Sequence, residues 1–225
     1  TYHNMGIVYE KQGEYTDALT EYNKALAIRL EVLGDNHPDV AETYNNMGIV
    51  YYKQGKYEDA LSEYNKALGI QRKALGEDHP DVAATYNNMG VVYYKQGKHE
   101  DALSKYQKAL EIRLEVLGDN HSDVAATYNN IRIVYEKQGI EACSLGEYDK
   151  ALNYFNKALG IEIKELGENH PDVAATYYNM GIVYEKQGKY EDALSEYNKA
   201  LEIRLEVLGE DHPSVAETYN NMGIV

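Results

Sequence analysis

A 42-residue unit recurs along this 225-residue chain, and that repetition constrains its fold more than any other feature. Aligned on a Thr-Tyr pair, the units begin at Thr1, Thr43, Thr85, Thr127, Thr176 and Thr218, so every spacing is 42 except one of 49. The chain divides into repeats 1–42, 43–84, 85–126, 127–175 with seven extra residues, 176–217, and a partial copy at 218–225, all in a single array. The composition carries the same stamp, with 23 Tyr against one Phe and no Trp.

Inside a unit the apolar period is helical. Val82, Tyr86, Met89, Val92 and Tyr93 follow three- and four-residue steps, and Gly97 stands where a helix would end. Pro80 suits a first turn because its missing N–H has no intrahelical partner there, and Asp81 complements the positive end of the helix dipole. A second helix is predicted from Tyr57 through Ala60, Tyr64 and Ala67 to Leu75, ended by Gly76. One such pair cannot bury its apolar faces alone, so neighbouring pairs must stack. The expected fold is all-α, a solenoid of antiparallel helix-turn-helix units.

The offsets Tyr44-x2-Met47-Gly48-x2-Tyr51 and Ala60-x3-Tyr64-x2-Ala67 resemble the tetratricopeptide (TPR) signature, with Tyr in the places of its Trp and Phe. The 42-residue length and the Gly-x-x-His-Pro linker are similar to the repeats of kinesin light chains and of nephrocystin-like and receptor-ATPase proteins. The resemblance implies a right-handed superhelix whose first helices line a concave groove for extended peptides. Gly48, Gly90 and Gly181, together with Ala60, Ala102 and Ala193, are expected to mark close helix approach.

Charge narrows the partners. A net charge of −15 disfavours nucleic acid and anionic membranes, whose binding needs clustered Lys and Arg. No apolar run approaches the ~20 residues that span a bilayer. A lone cysteine, Cys143, excludes an intrachain disulfide and fits a reducing, cytoplasmic setting. The chain lacks a P-loop, His-Glu-x-x-His and Gly-x-Ser-x-Gly, so no enzyme activity and no cofactor are expected. His37, His79, His121, His170 and His212 recur at equivalent linker positions, about 10 Å apart if helix pairs stack normally, so they cannot share a metal and read as helix-start residues.

By the resemblance, a stripe on each first helix forms the peptide-binding groove: Asn45, Ile49, Tyr52 and Lys53 in the second unit, Asn87, Val91, Tyr94 and Lys95 in the third, with Asn129 and Lys137 in the fourth. Asn can bond both polar groups of a peptide backbone, Tyr offers a flat amphipathic surface, and Lys offers a charge. Lys11, Lys53, Lys95, Lys137 and Lys186 are opposed by Glu10, Glu136 and Glu185 on the same stripe, so the middle units, with Tyr52 and Tyr94 in place of Glu, are the ones expected to accept an acidic or neutral ligand. The second asparagine of each pair reads as scaffold, bonding backbone or a Tyr hydroxyl.

The fourth unit is irregular. It carries Ser122 for Pro and Ile131-Arg132 for Met-Gly, with seven additional residues between Tyr135 and Glu147. Seven residues approximate two turns, so the stretch either lengthens the first helix, with Ala142 and Leu145 on its apolar side, or forms a loop after Gly139. Arg132, standing for a close-packing Gly, is expected to splay the repeat locally and reach a carboxylate or solvent.

The expected function is a non-catalytic scaffold for a protein or extended peptide. The alternatives are the sensor arm of a nucleotide-binding ATPase receptor and an architectural spacer. The chain opens and stops inside first helices, so end-to-end self-association is expected of it.

Overall fold

The structure, a computed structural model, describes residues 1–225. It contains eleven helices and no strand: α1 (Tyr2–Gln12), α2 (Tyr15–Leu33), α3 (Pro38–Lys53), α4 (Tyr57–Leu75), α5 (Pro80–Lys95), α6 (His99–Leu117), α7 (Ser122–Ser144), α8 (Tyr148–Leu166), α9 (Pro171–Lys186), α10 (Tyr190–Leu208) and α11 (Pro213–Ile224). No helix is long and apolar enough to cross a membrane. The chain forms two compact units, Thr1–Thr127 and Tyr128–Val225.

The helix ends follow from local chemistry. Each linker histidine is an N-cap acceptor: the backbone N–H of Asp39, Asp81, Asp123, Asp172 and Ser214 donates to Nδ1 of His37, His79, His121, His170 and His212 at 3.1–3.2 Å. The first helices end in a Schellman-type turn. In α3 the Lys56 N–H returns to the Tyr51 carbonyl and the Gly55 N–H to that of Tyr52, both at 2.9 Å, with Gly55 at φ 75°, where a side chain would be strained.

In the first unit α1 pairs with α2, α3 with α4 and α5 with α6, and each pair packs on the next. The central core joins Ala60, Tyr64 and Leu68 of α4 to Val82, Tyr86, Met89 and Val92 of α5 and to Ala109 and Ile112 of α6. Helices approach closely at Gly48 and Gly90, where an added Cβ would come within 2.6 Å of the Tyr64 and Tyr106 rings. In the second unit Phe155 of α8 packs with Ala142, Met180 and Val183, and Tyr197 of α10 with Tyr178, Ala193 and Ala200.

Helix α7 is 23 residues long where α3, α5 and α9 have 16, and it stays helical through Gly139 to Ser144. Seven residues turn a helix to within about 20° of two full turns, so the added length preserves the buried face. The beginning of α7 keeps the ordinary register: Val124 is buried and the Thr127 hydroxyl donates to the Asp123 carbonyl at 2.7 Å, like Thr43 to that of Asp39. Its end keeps the same register seven residues later. Gly139, not Arg132, is the close-packing glycine, since a Cβ there would meet the Phe155 ring at 2.8 Å, and Lys157 covers Tyr135 as Lys66 covers Tyr44. The added turns therefore precede Gly139, where the sequence alone places the seven residues in the stretch between Tyr135 and Glu147. Ala142 is buried as expected, but Leu145 is 75% exposed because it lies beyond the helix, beside the turn glycine Gly146.

Candidate functional site

The stripe of the middle repeats lies within the first unit. Helices α3 and α5 touch directly, and the Asn88 side-chain amide donates to Asn45 Oδ1 at 3.3 Å. The same 43-residue bridge joins Asn46 to His3 Nε2 at 3.3 Å, and in the second unit Asn221 to the Tyr178 hydroxyl at 2.7 Å. The second asparagine is thus the inter-repeat strut, and the first residue of the pair is its partner. Asn45 faces the stripe with its carbonyl already engaged.

Ile49 and Tyr52 are half-buried against the central core, and Val91 and Tyr94 hold the equivalent half-buried positions on α5. Tyr52 and Tyr94 are each braced at the next helix start, by the ring of Tyr57 at 6.1 Å and that of His99 at 5.9 Å. Braced aromatics of this kind offer a flat surface at little entropic cost. Lys53 is not a free charge, because its Nζ lies 2.9 Å from Glu10 Oε1, whereas Lys95 is exposed. Asn87 is half-buried at the place equivalent to Asn45. Asn129 and Lys137 belong to the second unit, and both are spent within α7: Asn129 Oδ1 accepts from the Arg132 guanidinium at 2.9 and 3.2 Å, and Lys137 lies 3.6 Å from Glu141.

Behind this stripe the second helices contribute phenols. Tyr22 donates to Glu10 at 3.1 Å and Tyr197 to Glu185 at 2.7 Å, and burial together with these carboxylates pushes both phenols well above their usual range. Where the stripe carries Tyr52 and Tyr94, burial does the same to Tyr64 and Tyr106. In the fourth repeat the stripe residue is Cys143 and the facing ring is Phe155, the only Phe of the chain, so neither a phenol nor its acceptor is present.

One set of residues was not singled out from the sequence. Fifteenth in each second helix stand Arg29, Gln71, Arg113, Glu162 and Arg204, and each meets the threonine fourteen residues later. The arginine Nη1 atoms donate to Thr43, Thr127 and Thr218 Oγ1 at 2.6–2.7 Å and to the first-turn carbonyls of Asp39, Asp123 and Ser214 at 2.6–3.1 Å. The fixed 14-residue offset to an invariant Thr-Tyr start was the available signal, masked because three residue types share the position.

Charge along α3 and α5 is graded. Asp39, Glu42 and Asp81 lie at the helix starts and Lys53 and Lys95 at the ends. No group of three or more His, Cys, Asp or Glu is placed to hold a metal ion.

Comparison with known proteins agrees with this architecture. Residues 1–73, 44–115, 81–139, 140–206 and 172–225 match the tetratricopeptide repeat model. Among solved structures, BtubC (BKLC) from P. vanneervenii is 28% identical over 92% of this chain and 80% of its own, with a TM-score of 0.59. A putative kinesin light chain of Podospora anserina with nearly identical TPR-like repeats is 19% identical over 91% of this chain and 94% of its own, with a TM-score of 0.62. YrrB, described as a TPR protein with an unusual peptide-binding site, is 22% identical over 97% and 90% of the two chains, at 0.53. No curated protein sequence matches. With family matches running from the first residue to the last over a solenoid of paired helices, the chain belongs to the tetratricopeptide repeat family.

Proposed function

We propose that this protein is a non-catalytic cytoplasmic scaffold that binds a peptide or protein segment along the first-helix stripe of its first unit. The observation that carries the reading is the pairing of Tyr52 and Tyr94, half-buried, braced from behind, and set on two helices tied together through Asn45 and Asn88. Such a surface gains from burial without having to order itself first. The fold similarity to a TPR protein described as having a peptide-binding site supports the same reading.

The test is selection of binders from a random peptide library on the whole chain, followed by calorimetry with Asn87→Ala/Lys95→Ala and with Tyr52→Ala/Tyr94→Ala. Each double variant should weaken a selected peptide by about 1–3 kcal/mol. Peptides that bind both variants as tightly as the parent would remove the stripe from the binding surface.

End-to-end association between copies is a second reading. It is favoured by Tyr2, Met5, Val8 and Ile28, each 44–53% exposed, the first two and Ile28 around a cavity of 550 Å³. Concentration-dependent light scattering decides it, and a constant 25.5 kDa mass would exclude it.

A further inference from the structure

Beside Gln71 lies a cavity of 340 Å³ walled by Asp39, Glu42 and Asn45 of α3, Gln71 of α4, and Asp81 and Thr85 of α5. It continues the groove stripe, since Glu42, Asn45, Ile49 and Tyr52 follow one another at helical steps. Three carboxylates surround it; Arg29 lies 3.1 Å from Glu42 on α3 and 4.0 Å from Asp39, and His3 Nε2 of α1 lies 3.5 Å from Glu42. Asp81 has no partner beyond the N-cap His79 at 3.7 Å.

Gln71 supplies the second observation. It is 5% exposed, yet only one end of its amide is bonded, to Thr85, and the other end faces the cavity without a partner. The Thr85 hydroxyl lies 2.8 Å from Gln71 Oε1 and 3.0 Å from the Asp81 carbonyl, two acceptors for a single proton. At Thr43, Thr127 and Thr218 that proton goes to the carbonyl while the oxygen accepts from arginine. The same arrangement at Thr85 requires the Gln71 amide nitrogen to donate, which turns the Gln71 carbonyl oxygen into the cavity.

The cavity then presents acceptors from Asp39, Glu42, Asp81 and Gln71, while the Asn45 carbonyl is already taken by Asn88. A guanidinium suits this set because its five N–H donors form a planar fork, whereas a metal ion would need ligands drawn much closer together. Three sister repeats already hold a guanidinium at this level of the fold, from Arg29, Arg113 and Arg204, whereas the level of Asp81 and Thr85 carries Gln71 and has none. We infer that the Gln71 cavity is a specificity pocket for an arginine side chain of the bound peptide. This rests on the peptide-binding reading for its biological ligand but not for its chemistry.

The probe is N-acetyl-arginine amide, titrated into the whole chain while the side-chain amide signals of Gln71 and Asn45 are followed by NMR. Saturable shifts are expected, with N-acetyl-lysine amide weaker and N-acetyl-norleucine amide silent. Asp81→Asn should weaken arginine about fivefold to tenfold, and Gln71→Arg, which supplies an internal guanidinium, should abolish it while the circular dichroism stays helical. No saturable shift, equal binding of the lysine probe, or indifference to Gln71→Arg overturns the pocket. Peptides that depend on Tyr52 and Tyr94 but show no arginine preference would retain the groove and discard the pocket. Arginine binding without any such peptide would do the reverse.

Discussion

The Arg132 guanidinium lies 3.5 Å from the carboxylate of Glu162, and Glu162 occupies the position that is arginine in the first, third and fifth repeats. The cation has moved from the second helix to the first. Arg132 also contacts Glu136 and lies 3.4 Å from Asp172, while Thr176 donates to Glu162 at 3.0 Å as its counterparts accept from arginine. The two added turns of α7 make the exchange possible, because they free the Arg132 position from close packing and give that duty to Gly139.

Glu162 is fully buried, and burial, followed by its hydrogen bond with Glu136, pushes its carboxyl up to about 8 from an ordinary 4.5, against the opposing pull of Arg132. The folded state therefore holds a proton that the unfolded chain releases. Stability from this group is fully present below about pH 4.5 and is lost as pH rises through about 8. Glu162→Gln keeps an acceptor for Thr176 and removes the titration. Its melting temperature should exceed that of the parent at pH 9, and the gap should shrink toward pH 5. Parallel pH profiles for the two proteins would show that Glu162 does not titrate in this window.

Arg132→Gly would restore the residue type found at the same distance from other first-helix starts, yet it should destabilise. It leaves Glu136, Glu162 and Asp172 without their shared cation. Removing one partner of a buried ion pair costs roughly 3–5 kcal/mol, toward the lower end at acidic pH where Glu162 can stay protonated. Urea unfolding at pH 9 and pH 5 measures this, and a variant as stable as the parent at pH 9 would refute it.

The α7 register explains why counting along the sequence misassigned Arg132. Counted from the start of the helix, Arg132 falls on the glycine position; counted back from the turn at Gly146, Gly139 does. Two full turns of added helix keep both readings on the same face, so apolar periodicity could not separate them. The ends of α4 and α5 were legible because Gly76, Pro80 and Gly97 each have a local reason to be where they are. The Gln71 cavity was not, since an Arg, Gln or Glu near a helix end reads as solvated surface until the facing threonine is placed.

Glycine substitutions separate close approach from mere propensity. At Gly139 a Cβ would stand 2.8 Å from Phe155, so Gly139→Ala should cost about 1–3 kcal/mol. Gly69 and Gly160 also sit inside helices, but nothing lies within 4 Å of an added Cβ there. Gly69→Ala and Gly160→Ala should each stabilise by about 0.5–1 kcal/mol, because alanine is the better helix former. Thermal unfolding of the three variants is sufficient, and a loss at Gly160 would contradict the open space beside it.

Phe155 and Cys143 form the apolar version of a pair that is polar elsewhere. Tyr22 donates to Glu10 and Tyr197 to Glu185, whereas Phe155 has no hydroxyl and Cys143 no carboxylate. Phe155→Tyr alone adds a hydroxyl at a 1%-exposed ring with no acceptor in the equivalent place, and should cost about 1–3 kcal/mol. Cys143→Glu alone brings a carboxylate against the Phe155 cluster and should also destabilise. Together the two changes rebuild the Tyr–Glu bond of the first and fifth repeats, so a double-mutant cycle should show a favourable coupling of about 1–3 kcal/mol. Additive losses would mean that the α7 register places residue 143 too far from ring 155 for that bond.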